Sequence, residues 1–272
     1  MGGTRVLLTG ATGYLGRYLA DELRGRDLEV LRASSSGAGV EFGFDLGDGE
    51  ALAAALRDAR VDAVVNCAAM SSMAACQQNP TDAVRINGRA PQVLAGACGV
   101  RFLQVSTDLV FAGDAAPYRA AAPLRPLSVY GLSKAEGERL PSGDRLVVRV
   151  PLLFGPSFDG RRGATDMLRG AVGRKEKIAL FVDEYRTPLH VADAARGIAD
   201  LLLDSAVRGI RHLGGHERVS RYALAERFCA AVGLDVAEFS AGHSDDPRRP
   251  KDVSLVGDWS PGRGLDEALR DC

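Results

Sequence analysis

Short apolar runs alternate with longer stretches of helical period along the first 150 residues of the chain. Val6-Leu7-Leu8, Leu28-Glu29-Val30-Leu31, Val61 to Asn66, Val100 to Val105 and Leu146 to Val150 read as strands. Runs this short, rich in branched side chains and bounded by turn residues, suit strands covered on both faces. Between them, residues 13–25, 48–57 and 80–99 read as helices, as does a further segment that carries Tyr130 and Lys134. Strand and helix in alternation predict an α/β fold with a doubly wound parallel sheet. Beyond Pro156 the rhythm loosens. Loops rich in glycine and arginine (160–163, 173–177) separate amphipathic stretches at 191–203 and 221–232.

The first strand runs into Gly10, Gly13 and Gly16 and then into a helix. That spacing allows a tight turn, close approach of a pyrophosphate to backbone at a helix N-terminus, and close packing of helix on strand. The sheet is therefore expected to be of Rossmann type. A dinucleotide-binding core is expected over residues 1–155 and a smaller, mainly substrate-binding C-terminal lobe over 156–272. Segments at about 185–213 are expected to return to the core. The second strand ends at Arg32-Ala33-Ser34-Ser35-Ser36, with no acid before Glu41. An acid at that end favours NAD, and an arginine accommodates the 2′-phosphate of NADP. Arg32 and Ser34 thus favour NADP(H), with NAD(H) still open; an ordinary solvated arginine is the competing explanation. Asp45 is a candidate for the adenine amino group or for a helix cap. Cys67-Ala68-Ala69-Met70 puts small residues at the carboxyl end of the third strand, where ligands lie in open α/β sheets. Ser106-Thr107-Asp108 ends the fourth strand in the same way.

Tyr130 and Lys134 stand four apart on a predicted helix and so share a face. A phenol near its ordinary pKa of ~10 is a poor proton donor and acceptor at neutral pH. A neighbouring ammonium favours the phenolate and is expected to lower that value. Lys134 can also bond a nicotinamide ribose. Thr107, or Ser106 beside it, offers a hydroxyl to a substrate carbonyl on which charge develops. The set describes carbonyl reduction, with Tyr130 giving the proton. Arg161, Arg162, Arg186 and Arg248 are candidates for a diphosphate, because guanidinium forks match phosphate oxygens. Solvated loop charge is the simpler reading of Arg161 and Arg162. His190, His212, His216 and His243 read as structural.

Composition narrows the class. With 34 basic and 35 acidic residues, 46% hydrophobic and 25% charged, the chain is that of an ordinary globular protein. No basic surface for nucleic acid is evident, and no apolar run approaches a membrane span. The apolar run at the N-terminus is too short, and too interrupted by glycine, for a secretory leader. The five cysteines lack metal-ligand spacing and read as reduced thiols of a cytoplasmic protein. No metal site is expected.

GATGYLG, NCAA, VSTDLVFAG, VYGLSKAEGE and RVPLLFGP together resemble the extended short-chain dehydrogenase/reductase family, in its sugar-nucleotide reductase branch. Asp183 to Pro188, Val191 to Ala195, and Arg249-Pro250 ahead of Val253-Ser254-Leu255 continue the likeness over nearly the whole chain. The resemblance implies a catalytic set of Thr107, Tyr130 and Lys134, and a pyrophosphate turn of Gly10, Gly13, Tyr14, Leu15 and Gly16. It puts Arg32, Asp45, Leu46, Ala68 and Ala69 along the adenosine half of the cofactor. Ser34, Cys67 and Ser106 join that set, and Pro151 lies by the nicotinamide. Asp108, Leu152 and Arg186 would face the substrate, a small molecule expected to be a nucleotide-linked sugar. Two positions depart from the branch. Leu152 stands where a tryptophan is usual, and Met70-Ser71-Ser72-Met73 replaces a tyrosine with paired acids. The branch also holds epimerases, dehydratases and subunits that bind dinucleotide without turnover, and its members are often homodimers. A 4-keto-6-deoxysugar reductase is the leading expectation.

Overall fold

The computed structural model describes residues 4–272 except 36, 44, 46–47, 49–50, 52–53, 55 and 58–59. Its centre is a seven-stranded parallel sheet built from β1 (Arg5–Thr9), β2 (Glu29–Ser34), β3 (Phe42–Gly43), β4 (Ala63–Asn66), β5 (Arg101–Thr107), β6 (Arg145–Val150) and β11 (Gly209–His212). Their order across the sheet is β11-β6-β5-β4-β1-β2-β3. Every pairing is parallel, as between Leu8 and Arg32, Leu8 and Val65, and Leu103 and Leu146. The chain leaves β1 towards β2 and β3, then crosses back to β4 on the other side. The carboxyl ends of β1 and β4 therefore flank the switch point where such sheets bind ligands.

Both faces are covered. Helix α1 (Tyr14–Arg24) and a helix from late in the chain lie on the face carrying Val6, Leu8, Val65, Leu103 and Val148. Leu7, Val64 and Phe102 point the opposite way. There they meet Ile86 and α4 (Ala90–Ala97), which follow α2 (Met73–Gln78) and α3 (Pro80–Ala83) in the chain. This alternation of side chains is the period of two that a strand imposes. Residues Val84–Arg89 between α3 and α4 form a π-helical stretch, so the predicted helix over 80–99 is neither uniform nor as long. Within it Asn87 turns inward, bonding the Met70 backbone through both its carbonyl oxygen and its amide, and Ser133 Oγ at 3.0 Å. Helix α5 (Val129–Gly137) packs on this stretch backbone to backbone: a Cβ on Gly137 would lie 2.1 Å from the Asn87 carbonyl.

The remaining elements are β7 (Leu153–Phe154), α6 (Gly163–Gly173), β8 (Ile178–Phe181), β9 (Tyr185–Arg186), β10 (Leu189–His190), α7 (Val191–Leu203), β12 (Val219–Ser220), α8 (Arg221–Val232), β13 (Phe239–Gly242) and α9 (Leu265–Leu269). Phe154, Leu168, Leu180, Leu224, Phe228 and Leu269 form a second apolar core among α6, α8 and α9. Helix α7 packs instead on α1 and the central sheet, and β11 after it pairs with β6. Of the predicted helix over 48–57, five residues are described: Ala51, Ala54, Leu56 and Arg57 are helical, and Asp48 stands before them, outside the helix, accepting the Ala51 N–H at 3.0 Å.

Two boundaries differ from those read in the sequence. Strand β2 continues through Arg32 to Ser34, and β5 through Ser106 to Thr107. In both cases a neighbouring strand supplies the partners: β1 and β3 for β2, and β6, as far as Val150, for β5.

Candidate active site

A cleft of about 750 Å³ opens at the switch point, between the glycine turn, the ends of β2 and β4, and α5. Gly10 has φ of +67°, and a Cβ there would lie 2.6 Å from the Ala68 nitrogen. A Cβ on Gly16 would lie 2.2 Å from the Gly10 carbonyl. The turn thus needs glycine for conformation at the first position and for contact at the third. Gly10→Ala is expected to cost more than the ~1–2 kcal/mol of a left-handed residue, because the clash is with backbone, and urea unfolding measures it. Helix α1 begins at Gly13 with no side-chain cap. The Gly13 N–H is taken by the Gly10 carbonyl at 2.9 Å, and the first-turn N–H groups after it, orphan donors in any helix, are left for a ligand in the cleft.

The cleft wall holds most of the expected nucleotide residues: Gly10, Gly13, Tyr14, Leu15, Gly16, Ser34, Asp45, Cys67, Ala68, Ala69, Ser106, Tyr130 and Lys134. Leu46 lies outside the described residues. Arg32 lines a neighbouring cavity that shares Gly13, Tyr14 and Arg162 with this cleft, and Glu41 takes both its backbone N–H at 2.7 Å and its guanidinium at 3.1 Å. Serines Ser34 and Ser35 stand at the cleft instead. Asp45 faces it while ion-paired to Arg85 at 3.0 Å. Tyr14 lines the cleft too, and its hydroxyl donates to the Gly155 carbonyl at 2.7 Å. Burial pushes the Cys67 thiol up to about 12.

Tyr130 sits where this cleft meets a second cavity of about 400 Å³. Thr107 is its neighbour in that second cavity. Of the two candidate hydroxyl residues on β5, Thr107 lines the second cavity, whereas Ser106 borders the nucleotide cleft and its Oγ donates to Glu138 Oε1 at 2.6 Å. The Lys134 ammonium donates to the Val105 carbonyl at 2.7 Å. The expected lowering of the Tyr130 phenol by Lys134 is not what the surroundings produce. Burial pushes the phenol well above its ordinary value, Asp108 adds to the rise, and only the neighbouring Thr107 side chain opposes it. Burial also pulls Lys134 down to about 8, against the attraction of Glu138. The ammonium is present below that value and lost above it. Turnover that needs the charged lysine is therefore expected to fall as pH rises through about 8, and a pH profile of kcat/KM checks this.

The second cavity is lined by Thr107, Asp108, Tyr130, Pro151, Leu152, Glu184, Arg186, Arg221 and Arg249, among others. Pro151 and Leu152 thus stand together in the wall of this cavity. Arg186, buried, donates to the Tyr185 carbonyl at 2.7 Å and stands 3.6 Å from Asp108 Oδ2, which accepts no hydrogen bond. Burial raises the Asp108 carboxyl above its usual range, with Arg186 pulling the other way. Glu184, fully buried, holds Arg249 through both carboxylate oxygens. Arg221, at the start of α8, is held down to about 10 by burial and by Arg186 beside it. Three guanidinium groups against two carboxylates leave this cavity suited to an anion.

Among the arginines proposed for such an anion, Arg186 is in place and Arg248 is not. Arg248 is exposed and engaged by Asp246 at 2.7 Å. Arg161 faces solvent, and Arg162 borders the nucleotide cleft while paired with Asp159 at 3.1 Å. Arg221 gave no signal in the sequence beyond opening an amphipathic helix. Arg249 was visible only as part of an Arg-Pro pair. His190 accepts the Ala192 N–H at the start of α7 and is pulled down to about 4 by burial, so it is neutral. His212 is likewise held to about 4, with Arg149 3.1 Å from its Nε2.

A parallel sheet with a glycine turn at its switch point, and a Tyr-Lys pair on one helix beside a strand ending in Ser-Thr, is the build of the extended short-chain dehydrogenase/reductases. Residues 4–257 match the model of the RmlD substrate binding domain family, and the chain belongs to that family. It is 34% identical over 246 residues to a dTDP-4-dehydrorhamnose reductase from Streptomyces griseus, covering 86% of this chain and 78% of that one. It is 32% identical over 244 residues to methionine adenosyltransferase 2 subunit beta from Xenopus tropicalis, covering 85% and 73%. The structure of a dTDP-4-dehydrorhamnose reductase from Clostridium acetobutylicum superposes with a TM-score of 0.87 at 26% identity, covering 98% of each chain. One from Bacillus anthracis, solved in complex with NADP, shares the fold with a TM-score of 0.88 at 21% identity, covering 99% and 97%. No helix among the described residues is long and apolar enough to cross a membrane.

Proposed function

We propose that the protein is an NADP(H)-dependent reductase of a keto-sugar nucleotide, of the 4-keto-6-deoxysugar type. The observation that carries this reading is the position of Tyr130, between a cleft with an uncapped helix N-terminus and a cavity rich in arginine. Gly10, Gly13, Leu15 and Gly16, with the α1 N–H groups, would hold the pyrophosphate. Lys134 would bond the nicotinamide ribose. A bound nicotinamide supplies the hydride. Thr107 and Tyr130 hydrogen-bond the substrate carbonyl oxygen, and Tyr130 transfers its proton as charge develops there. Its raised pKa keeps that proton in place at neutral pH. Arg186, Arg221 and Arg249 take the diphosphate of the sugar nucleotide. NADP(H) is favoured over NAD(H) because the one acid near the end of β2, Glu41, is already neutralised by Arg32. The similarity to the Streptomyces griseus reductase supports the substrate class.

A second reading, a nucleotide-binding subunit of a larger assembly, is favoured by the likeness to the subunit beta proteins. One experiment separates them: oxidation of NADPH or NADH followed by absorbance against a panel of nucleotide-linked 4-keto-6-deoxysugars and simple ketones. Stoichiometric NADPH oxidation with a keto-sugar is the expected result. Product without net NADPH consumption indicates an epimerase or dehydratase, and tight NADPH binding with silence across the panel indicates the subunit.

A further inference from the structure

A lysine side chain has four rotatable bonds, so where its ammonium sits is decided by its partner rather than by its stem. The partner of Lys134 is the Val105 carbonyl, 2.7 Å away. The same oxygen accepts Gln104 Nε2 at 2.8 Å. Strand β4 stops at Asn66, opposite Gln104, while β5 runs on to Thr107. Past Gln104 the β5 backbone therefore has no β4 partner, and side-chain donors occupy the carbonyl instead.

Gln104 is itself held. Its Oε1 accepts from Asn66 Nδ2 at 2.7 Å, and Asn66 Oδ1 accepts from the Thr9 hydroxyl. Thr9, Asn66 and Gln104 are each 1% exposed. The line crosses β1, β4 and β5 at their carboxyl ends, from the residue before Gly10 to the lysine. Its polarity runs one way. The Thr9 hydroxyl donates to the Asn66 oxygen, the Asn66 amide to the Gln104 oxygen, and the Gln104 amide to the carbonyl. Turning either amide over would bring two acceptors together in a buried site.

We propose that Gln104 is a positioning residue for Lys134: fixed by Asn66 and Thr9, it holds the Val105 carbonyl on which the lysine ammonium rests. The role in turnover rests on the reductase reading above, whereas the placement of the ammonium does not. The titratable groups around Lys134 are Glu138 and Tyr130 on its own helix, Cys67 after β4 and Cys76 on α2, and the variants below alter none of them.

Gln104 Nε2 and Lys134 Nζ are bonded to one oxygen at 2.8 and 2.7 Å, so they lie at most 5.5 Å apart. In Gln104→Glu the carboxylate still accepts from Asn66 but no longer donates to the Val105 carbonyl, and its second oxygen attracts the ammonium in that carbonyl's place. An opposite charge at this range raises a lysine pKa by about one unit or more. The chain has four lysines, Lys134, Lys175, Lys177 and Lys251, so NMR of protein carrying 13Cε-lysine resolves the Lys134 titration, assigned with Lys134→Met. The expected result for Gln104→Glu is a Lys134 midpoint raised by about one unit or more, with the other three unmoved. Gln104→Met removes the amide without adding charge. It is expected to leave NADPH affinity within about threefold while kcat falls roughly tenfold, as misplacement of a catalytic group does. A residue that only stabilised the fold would lower the melting temperature and move neither readout. An unmoved Lys134 midpoint in Gln104→Glu overturns the proposal, as does wild-type kcat in Gln104→Met. The titration needs no substrate, so it decides even if the wild type reduces no keto-sugar or Gln104→Met does not fold.

Discussion

Tyr130→Phe is expected to lower kcat by about 10²- to 10⁴-fold, the range over which a positioned general acid acts. The substitution removes one oxygen and keeps the ring, so the wall between the two cavities stays in place. Binding of NADPH is expected to change little, because the pyrophosphate turn and Lys134 are untouched. Steady-state turnover and a fluorescence titration of NADPH together make the test. Retention of most of the turnover would remove Tyr130 as the proton donor. Thr107 would be left with its hydrogen bonds to Asp108 at 3.1 Å and to the Leu109 N–H at 3.2 Å, so the hydroxyl stays oriented in the variant.

The second large effect is on stability. Arg149 is 1% exposed near the carboxyl end of β6, an unusual burial for a charge. Its guanidinium forks onto Glu138, at 2.9 Å to Oε1 and 2.6 Å to Oε2. It also donates to the Ala120 carbonyl at 3.0 Å and lies 5.0 Å from the centre of the Phe111 ring. Arg149→Met leaves the Glu138 carboxylate buried without its cation. Such a break costs about 3–5 kcal/mol, a large share of the ~5–15 kcal/mol that holds a typical domain. Urea unfolding is expected to register that loss. The double variant Arg149→Met, Glu138→Gln is expected to recover part of it, since no uncompensated charge remains. A cost below about 1 kcal/mol for the single variant would mean the pair is not buried as described. Glu138 is one turn beyond Lys134 and accepts from Ser106, so the same pair ties α5 to the strand carrying Thr107.

Some of this arrangement was legible residue by residue. Gly10 and Gly16 are read correctly because a turn between a strand and a helix is a local event, decided by a few consecutive residues. Tyr130 and Lys134 share a face because a helix has a fixed period. The pairing of Arg32 is of another kind: Glu41, nine residues on, folds back to it across the β2–β3 turn, which no spacing rule sees. The hydrogen bond of Ser106 depends likewise on Glu138, thirty-two residues away, reaching back from the end of α5. Arg221 and Arg249 enter the second cavity because β9 pairs with β12, and because Tyr185 also bridges to Asp252, which bring distant loops beside Asp108.

By itself the sequence determined the parallel α/β core, the glycine turn and the Tyr-Lys pair, because periodicity, chain reversal and helical spacing are short-range properties written in neighbouring residues. Only the tertiary structure decided which charges are neutralised, which hydroxyl residue lines the second cavity, which arginines face the cavity, and how burial moves Tyr130 up and Lys134 down. Those outcomes depend on dielectric surroundings and on partners dozens of residues away, and they exist only once the chain has closed around them.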